Sequence, residues 1–187
     1  MNQENPNADR FRFCPQCGRE ALAPDSVKSF KCRACGFLFF INCAAGAMAV
    51  ILDDQDRVLA TRRGRNPARG TLDLPGGFAE PEEGIEISLK REIKEELNLE
   101  VTALTYLCSF SNAYPYAGVV YPVTDIAFVC NVASFENIRA MDDVDGFRFI
   151  PVPEIDPGDF GMDSARQTIT YFIQQFHSRG RIAAPPC

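Results

Sequence analysis

The sequence has a single histidine, fewer basic than acidic residues, and no apolar run of membrane-spanning length. The histidine, His177, stands far along the chain from the paired cysteines, which argues against a catalytic zinc centre. A formal net charge of −6 argues against a broad basic groove for nucleic acid. The polar first ten residues lack the apolar core of a signal peptide, and residues 36–52 are too short for a membrane span. We therefore expect a soluble cytoplasmic protein without a membrane partner.

The eight cysteines have a spacing that indicates metal binding rather than disulfides. Two C-x-x-C pairs separated by 14 residues offer four thiolates at Cys14, Cys17, Cys32 and Cys35. This is the tetrahedral pattern of a zinc ribbon, and four protein ligands leave no open position, so the zinc should be structural. Gly18 and Gly36 follow the two pairs, where they permit tight turns. A redox-active dithiol is the alternative reading of the pairs.

An amphipathic helix is predicted over residues 84–97, because apolar residues recur every four positions at Ile85, Leu89, Ile93 and Leu97. Glu92 and Glu96 stack beside this apolar stripe, and Glu95 lies one step around the helix. Three neighbouring carboxylates repel one another, which is unfavourable on a plain solvated face but suits a hard cation such as Mg²⁺. A solvated charged face is the alternative.

The residues around this helix support a ligand site. Gly76 and Gly77 precede the helix, and glycines let a backbone approach a ligand closely. Arg91 and Glu83 are two helical turns apart, so an ion pair between them could fix the loop against the helix.

The segment GFAEPEEGIEISLKREIKEELNL, from Gly77 to Leu99, resembles the signature of the Nudix hydrolases. It departs from that signature at Asn98, where the family has glycine; Asn also adopts the left-handed conformation expected at a helix C-terminus. The resemblance extends roughly over residues 45–178. It implies an α/β fold, a Nudix-type α/β/α sandwich with a mixed sheet, preceded here by a small N-terminal zinc ribbon.

The resemblance also implies site residues and a reaction. It assigns catalytic or metal-binding roles to Glu83, Arg91, Glu92, Glu95, Glu96 and the carbonyl of Gly76. The glutamates would hold Mg²⁺ or Mn²⁺, one of them or a bound water would deprotonate the attacking water, and Arg91 with Glu83 would orient the others. The reaction would be hydrolysis of the pyrophosphate bond in a nucleoside diphosphate linked to another moiety.

A zinc ribbon ahead of this domain resembles the NADH pyrophosphatase subgroup, which carries Ser-Gln-Pro-Trp-Pro-Phe-Pro after the motif. The corresponding residues, Ser111 to Ala117, read SNAYPYA. Ser and a Pro with an aromatic on each side survive, Gln and Trp do not, and Ala117 stands where the last Pro would be. Tyr114 would then stack on the nucleotide base. The substrate stays open among NADH, ADP-ribose, FAD and similar small nucleotides or dinucleotides.

Seven further residues are candidates for substrate binding: Arg62, Arg63, Phe78, Tyr114, Tyr116, Asp142 and Asp143. The arginines could contact phosphate, and one of the two aspartates could complete the metal site. Solvated loops and turns are the alternatives for the arginines, tyrosines and aspartates.

The expected organisation has four segments: a disordered N-terminus over 1–10, a zinc ribbon over 11–42, a Nudix domain over 43–180, and a loose tail over 181–187. The resemblance makes a homodimer a candidate assembly, and the charge balance disfavours nucleic acid as a partner. The rival function is a nucleotide-sensing regulator, with the ribbon contacting nucleic acid or protein. The intact set of glutamates favours the enzyme.

Overall fold

The structure is a computed structural model that describes residues 4–179, so residues 1–3 and the tail expected over 181–187 lie outside the described residues. These residues form two compact units. The first unit, the ribbon unit, comprises residues 4–44 together with Ala113–Pro122. The second unit comprises residues 45–112 and 123–179, and we call it the catalytic unit because it contains the glutamates to which the resemblance assigns a catalytic role.

The ribbon unit is built on a three-stranded antiparallel sheet in the order β1-β2-β3. Its strands are β1 (Leu22–Ser26), β2 (Ser29–Cys32) and β3 (Leu38–Phe40). Phe30 is fully buried at its centre, and its ring packs edge-on against Phe11 at a centroid distance of 5.3 Å. This aromatic core compensates for the small size of the sheet, because each aromatic ring buries a large apolar area.

Residues 4–10, at the start of the ribbon unit, form turns, whereas the sequence predicted disorder over residues 1–10. Asn7 is buried; its amide donates to the carbonyl of Val120 at 2.8 Å and accepts from the Val120 N–H at 2.7 Å. Asn5 donates to the carbonyl of Ser26 at 2.8 Å. These long-range bonds fix residues 4–10 in turns, since buried amides need such partners.

A long hairpin joins the two units. Its strands, β8 (Val101–Tyr116) and β9 (Val119–Val132), are connected by Ala117 and Gly118, both with positive φ (49° and 81°), as a two-residue hairpin turn requires. The tip, Ala113–Pro122, belongs to the ribbon unit, where Val119 packs against the aromatic core. The expected boundaries, which placed all of 43–180 in one domain, are corrected here.

The catalytic unit contains two sheets, two α-helices and two short 3-10 helices, Val152–Glu154 and Pro157–Asp159. The four-stranded sheet has the order β7-β4-β9-β8, with β4 (Ala44–Ile51) and β7 (Gly76–Phe78). The three-stranded sheet has the order β10-β5-β6, with β5 (Arg57–Arg63), β6 (Leu72–Asp73) and β10 (Val144–Pro151). The α-helices are α1 (Ile85–Leu97) and α2 (Asp163–Arg179).

Strand β4 is buried on both faces, which places the helices on opposite sides of its sheet. Ala47, Ala49 and Ile51 belong to one core cluster with the apolar stripe of α1. On the other face Gly46 lies against Asp125, whose carboxylate accepts from Ser164 of α2. Because alternate strand residues face opposite ways, α1 and α2 cover different faces, giving the expected α/β/α arrangement. Within residues 4–179, neither helix is long and apolar enough to cross a membrane.

Candidate active site

Helix α1 fixes the direction of the three motif glutamates. Leu89, Ile93 and Leu97 are fully buried, and this fixes the rotation of the helix about its axis. The glutamates, which lie beside this apolar stripe, therefore have a fixed direction as well. The helix ends at Asn98, which is left-handed (φ 55°, ψ 30°) and whose N–H donates to the carbonyl of Lys94 at 3.0 Å. The expected left-handed conformation of Asn98 is thereby confirmed.

Strand β7 brings backbone into contact with these glutamates. The N–H of Gly76 donates to Oε2 of Glu96 at 3.0 Å. Gly76 has a φ of 143°, and a Cβ there would lie 2.1 Å from the carbonyl oxygen of Ala47. A Cβ on Gly77 would lie 2.4 Å from Cδ of Glu92. Both positions therefore need glycine: Gly76 for its conformation and both for the close approach.

Arg91 links the motif acids through its guanidinium fork. Its Nε and Nη2 donate to the two oxygens of Glu83, each at 2.9 Å. Its Nη1 donates to Glu92 at 2.7 Å and to Glu95 at 3.1 Å. The hydrogen bonds from Arg91 lower the pKa of Glu83 to about 2, and those from Glu83 raise the pKa of Arg91. The pair thus ties the loop to the helix and holds two other carboxylates in place.

Glu96 lies where negative charge is concentrated. Burial raises its pKa to about 8, and the charges of Glu92, Asp73 and Asp143 act in the same direction, while the Gly76 N–H opposes them. Burial also raises the pKa of Glu92. A divalent cation would relieve this repulsion, and carboxylate and carbonyl oxygens are the donors that Mg²⁺ and Mn²⁺ prefer. The donor types therefore suit the expected ions, although among the described residues no three of these carboxylates have oxygen atoms within 4.8 Å of one another.

The buried position of Glu96 predicts a pH-dependent stability. Its pKa in the folded chain, about 8, exceeds its ordinary value of 4.5, so between these values the folded chain binds more protons than the unfolded chain. The free energy of unfolding without divalent cation should fall as pH rises from about 5 to about 8. The lowered pKa of Glu83, about 2, changes the free energy of unfolding only at pH values below this range. Urea unfolding followed by circular dichroism measures the slope, and an unchanged slope in Glu96→Gln would contradict the assignment.

Asp142 and Asp143 lie on a loop bound to the C-terminal turn of α1. The N–H of Met141 donates to the carbonyl of Glu96 at 2.8 Å. The charge of Asp142 raises the pKa of Glu92, and that of Asp143 raises the pKa of Glu96. Both aspartates therefore act electrostatically on the motif glutamates. Which of them takes that role stays a prediction.

The candidate arginines are engaged with protein groups. Arg63 forms an ion pair with Asp73 and donates through Nε to the carbonyl of Pro67 at 2.7 Å. Arg62, which is exposed, donates to the carbonyl of Gly70 at 2.7 Å. Their proposed phosphate contacts stay predictions, and for Arg63 such a contact would compete with the existing ion pair.

The aromatic candidates divide between the two units. Phe78 is in the catalytic unit, with an exposed ring and a carbonyl that accepts from Nη2 of Arg91 at 3.2 Å. Tyr114 and Tyr116 are on the hairpin tip, in the ribbon unit, and Tyr116 is exposed. The structure groups the glutamates, the Gly76 backbone and Phe78 in one unit. Base stacking by either tyrosine stays a prediction.

Asp73 and Arg65 are near the site but were not among the predicted site residues. Asp73 raises the pKa of Glu96, and its own pKa is raised by burial despite its pairing with Arg63. Its neighbours Leu72 and Leu74 are both buried, and an acid in an apolar strand next to the glycine pair was the available signal. The Nε of Arg65 lies 2.6 Å from Asp143, a contact between distant segments that no local pattern indicates.

The four cysteines of the ribbon unit converge as their spacing predicts. Their sulfur atoms all lie within 4.8 Å of one another. The Sγ atoms of Cys14 and Cys35 are 3.7 Å apart, and those of Cys17 and Cys32 are 3.8 Å apart. A tetrahedral ion with Zn–S bonds of about 2.3 Å requires sulfurs about 3.8 Å apart, so the cluster fits zinc. Gly18 and Gly36 have φ of 72° and 78°, as expected for the tight turns.

The fold and the carboxylate site define a Nudix protein. The NUDIX domain family model matches residues 44–171, and the chain belongs to this family. The NAD-capped RNA hydrolase NudC of Pseudomonas putida (strain W619) is 26% identical over 166 residues, which cover 89% of this chain and 57% of that protein. NudC of Pseudomonas aeruginosa (strain LESB58) is 25% identical over 175 residues, covering 94% and 59%. This chain thus spans less than two thirds of the length of these relatives.

Solved structures support the fold. The crystal structure of a NUDIX hydrolase from Nitrosomonas europaea superposes with a TM-score of 0.68 at 21% identity, covering 90% of this chain and 94% of that chain. A MutT NUDIX hydrolase from Burkholderia pseudomallei gives a TM-score of 0.60 at 21% identity, covering 70% and 98%. At these identities the likeness concerns the fold alone, and the predicted Nudix-type α/β fold is confirmed.

Proposed function

We propose that this protein is an enzyme that hydrolyses the pyrophosphate bond of a nucleoside diphosphate linked to another moiety, releasing a nucleoside monophosphate. The observation that carries the proposal is the set of three glutamates on one side of α1, held by Arg91 and by the backbone of Gly76. Carboxylates held in this way suit a cation that binds an anionic substrate.

Each group of the site has its own task in this reaction. Glu92, Glu95 and Glu96, with the carbonyl of Gly76, would hold Mg²⁺ or Mn²⁺, which when bound neutralises phosphate charge and makes water a stronger nucleophile. One of these glutamates accepts the proton of the attacking water. Arg91 keeps Glu92 and Glu95 in a fixed geometry, and Glu83 keeps the guanidinium in its orientation. The one hydroxyl of the motif, Ser88, is buried and donates to the carbonyl of Phe78 at 3.2 Å, so water is the proposed nucleophile.

The substrate is proposed from the same chemistry. The relatives are named for the hydrolysis of NAD-capped RNA, which supports a pyrophosphate that joins two nucleotides. NADH and FAD contain such a diphosphate, ADP-ribose contains a diphosphate between adenosine and a ribose, and these three are the small-molecule candidates. The relatives' names also bring nucleic acid back among the candidate partners, which the net charge alone had disfavoured.

A panel assay tests the proposal. The purified protein is incubated with NADH, NAD⁺, ADP-ribose, FAD, NAD-capped RNA and nucleoside triphosphates, with Mg²⁺, with Mn²⁺, or with a chelator, and the products are separated by chromatography. Release of AMP from at least one compound, only with a cation, is expected. If no compound is hydrolysed and one of them binds tightly, the proposed enzymatic function is wrong and the nucleotide-sensing regulator is favoured. The regulator is supported by the four converging cysteines of the ribbon unit, which could contact nucleic acid or protein.

We also propose that the ribbon cysteines bind a structural zinc ion. The cytoplasm is the proposed location, because a reducing compartment keeps such thiols available. A homodimer stays a prediction.

Cys14→Ser tests the zinc proposal. It should lower the zinc content and the melting temperature with little direct effect on kcat, because the cysteines lie outside the catalytic unit. In a chain of this size each kcal/mol of stability removed lowers Tm by roughly 2–4 °C. Cys43→Ser is the matched control, since Cys43 is exposed and outside the cluster. Loss of zinc with an unchanged melting temperature would contradict a structural role.

A further inference from the structure

The ribbon unit carries a charge opposite to that of the rest of the chain. Residues 1–44 contain six Lys or Arg and four Asp or Glu, whereas the whole chain contains 19 and 25. Residues 45–187 therefore contain 13 basic and 21 acidic residues, and the hairpin tip at 113–122 contains neither kind. One ribbon acid, Glu20, is paired with Arg12. A local excess of positive charge on an acidic protein is a property of surfaces that bind polyanions.

The sheet of the ribbon unit has one buried and one exposed face. Phe30 pairs with Phe39 across β2 and β3, and both rings belong to the core. Lys31 pairs with Leu38, so these two side chains share the opposite face, and Phe40 follows two residues after Leu38 on the same face. The side chains of Leu38 and Phe40 are 44% and 47% exposed. The outer ribbon face, defined by Lys31, Leu38 and Phe40, thus presents an aromatic ring beside a cation.

A cleft adjoins the outer ribbon face. It has a volume of about 430 Å³, and its lining includes Lys31, Arg33, Asp25 and Gly36. Lys31 and Arg33 are both exposed, and within residues 4–179 neither forms an ion pair. Two exposed cations, one of which is on the same face of the sheet as the Phe40 ring, offer contacts to the phosphates and bases of a single strand.

We propose that the outer ribbon face binds single-stranded nucleic acid, with Lys31 and Arg33 contacting phosphates and Phe40 stacking on a base. Stacking needs an unpaired base, which selects a single strand over a duplex. A second copy of this chain fits the surface less well. Stable protein interfaces bury at least about 1,200 Å² with an apolar centre, whereas here two apolar side chains adjoin unpaired cations. The proposal does not depend on hydrolysis.

The test uses the full zinc-loaded chain and a fluorescein-labelled 12-nucleotide oligouridylate with a 5′-hydroxyl, which offers no pyrophosphate to cleave. Fluorescence anisotropy over a range of salt concentrations gives Kd and its salt dependence. We expect saturable binding with Kd between about 10⁻⁶ and 10⁻⁴ M, weakening as salt rises. Binding of the same sequence as a duplex should be weaker. Absence of binding at about 10⁻⁴ M protein, or equal affinity for the duplex, would overturn the proposal.

Two sets of variants separate charge from stacking. Lys31→Ala with Arg33→Ala should weaken binding and reduce the slope of log K against log salt by about 1.4, because each phosphate that is no longer neutralised on a single strand changes the slope by about 0.7. Lys94→Ala with Arg139→Ala removes the same charge from the catalytic unit and should leave the slope unchanged. If the two double variants behave alike, general charge explains the binding and the proposal fails.

Phe40→Ala should weaken binding by about 5- to 150-fold with little change in the salt slope, as expected when a base-stacking interaction of about 1–3 kcal/mol is removed. Tyr106→Ala, which removes an exposed aromatic ring from the catalytic unit, is its control. Phe40→Leu, which keeps the apolar volume but not the ring, guards against a folding defect and should also bind weakly. A fall in molecular mass in Phe40→Ala, measured by light scattering with RNA affinity retained, would identify the face as a dimer interface instead.

Discussion

Glu96→Gln is expected to lower kcat by about 10²- to 10⁴-fold, the range for loss of a group that transfers a proton or positions one. The amide keeps the size of the side chain but removes the charge at the most buried of the motif carboxylates and changes its bond with the Gly76 N–H. The measurement is steady-state hydrolysis of the best substrate of the panel at saturating Mg²⁺ or Mn²⁺.

Glu86→Gln is the matched control for this experiment. Glu86 lies in the first turn of the same helix, is exposed, and belongs to no contact within the carboxylate cluster, so kcat should stay within about twofold of the wild type. Glu95→Gln should behave like Glu96→Gln, because Glu95 is bound to the same guanidinium as Glu92. Near-normal kcat in both Glu95→Gln and Glu96→Gln would exclude the proposed mechanism.

Gly77→Ala is expected to lower kcat by about 100-fold without unfolding the protein, since a displacement of about 1 Å in a catalytic group has an effect of this size. The added methyl group would occupy the place of the Glu92 carboxylate, 2.4 Å from its Cδ. The glutamate must then leave Arg91, to which it is bound at 2.7 Å. Because the clash is with the end of a side chain, the chain can adjust locally and the melting temperature should change little.

Gly146→Ala provides the control for this substitution. Gly146 lies in β10 of the same unit, and a Cβ there would meet no atom within 4 Å. Both kcat and the melting temperature should stay near the wild-type values. An unchanged kcat in Gly77→Ala would show that the position of Glu92 does not matter to the reaction, whereas a large fall in melting temperature would trace the effect to folding.

Local patterns in the sequence predicted the parts of the site that one element contains. The predicted helix over 84–97 agrees with α1, because its limits depend on a four-residue apolar period and on Asn98 at its end. The ribbon cysteines were predictable for the same reason, since metal-ligand spacing is a property of two short turns. The Arg91–Glu83 pair was likewise inferred from a spacing of eight residues and is present.

Contacts between distant segments were beyond these patterns. The pairing of Asn7 with Val120 spans 113 positions, so nothing near residue 7 indicates that the segment is ordered. The charge of Asp73 raises the pKa of Glu96 and Arg65 forms an ion pair with Asp143, although the two members of each pair are on distant segments of the chain. Residues that contact the base and sugar of a substrate lie on loops brought together in the same way, so these contacts stay predictions.

The hairpin tip makes the ribbon unit inseparable from the rest of the chain. The backbone crosses between the two units three times, at residues 44–45, 112–113 and 122–123. Cutting away residues 1–44 would leave Val119 without the aromatic core that covers it and the backbone of Val120 without both of its bonds to Asn7. Attempts to express the catalytic unit by simple N-terminal truncation should therefore yield an aggregating product. A viable minimal form would have to shorten β8 and β9 as well, replacing Ala113–Pro122 with a tighter turn.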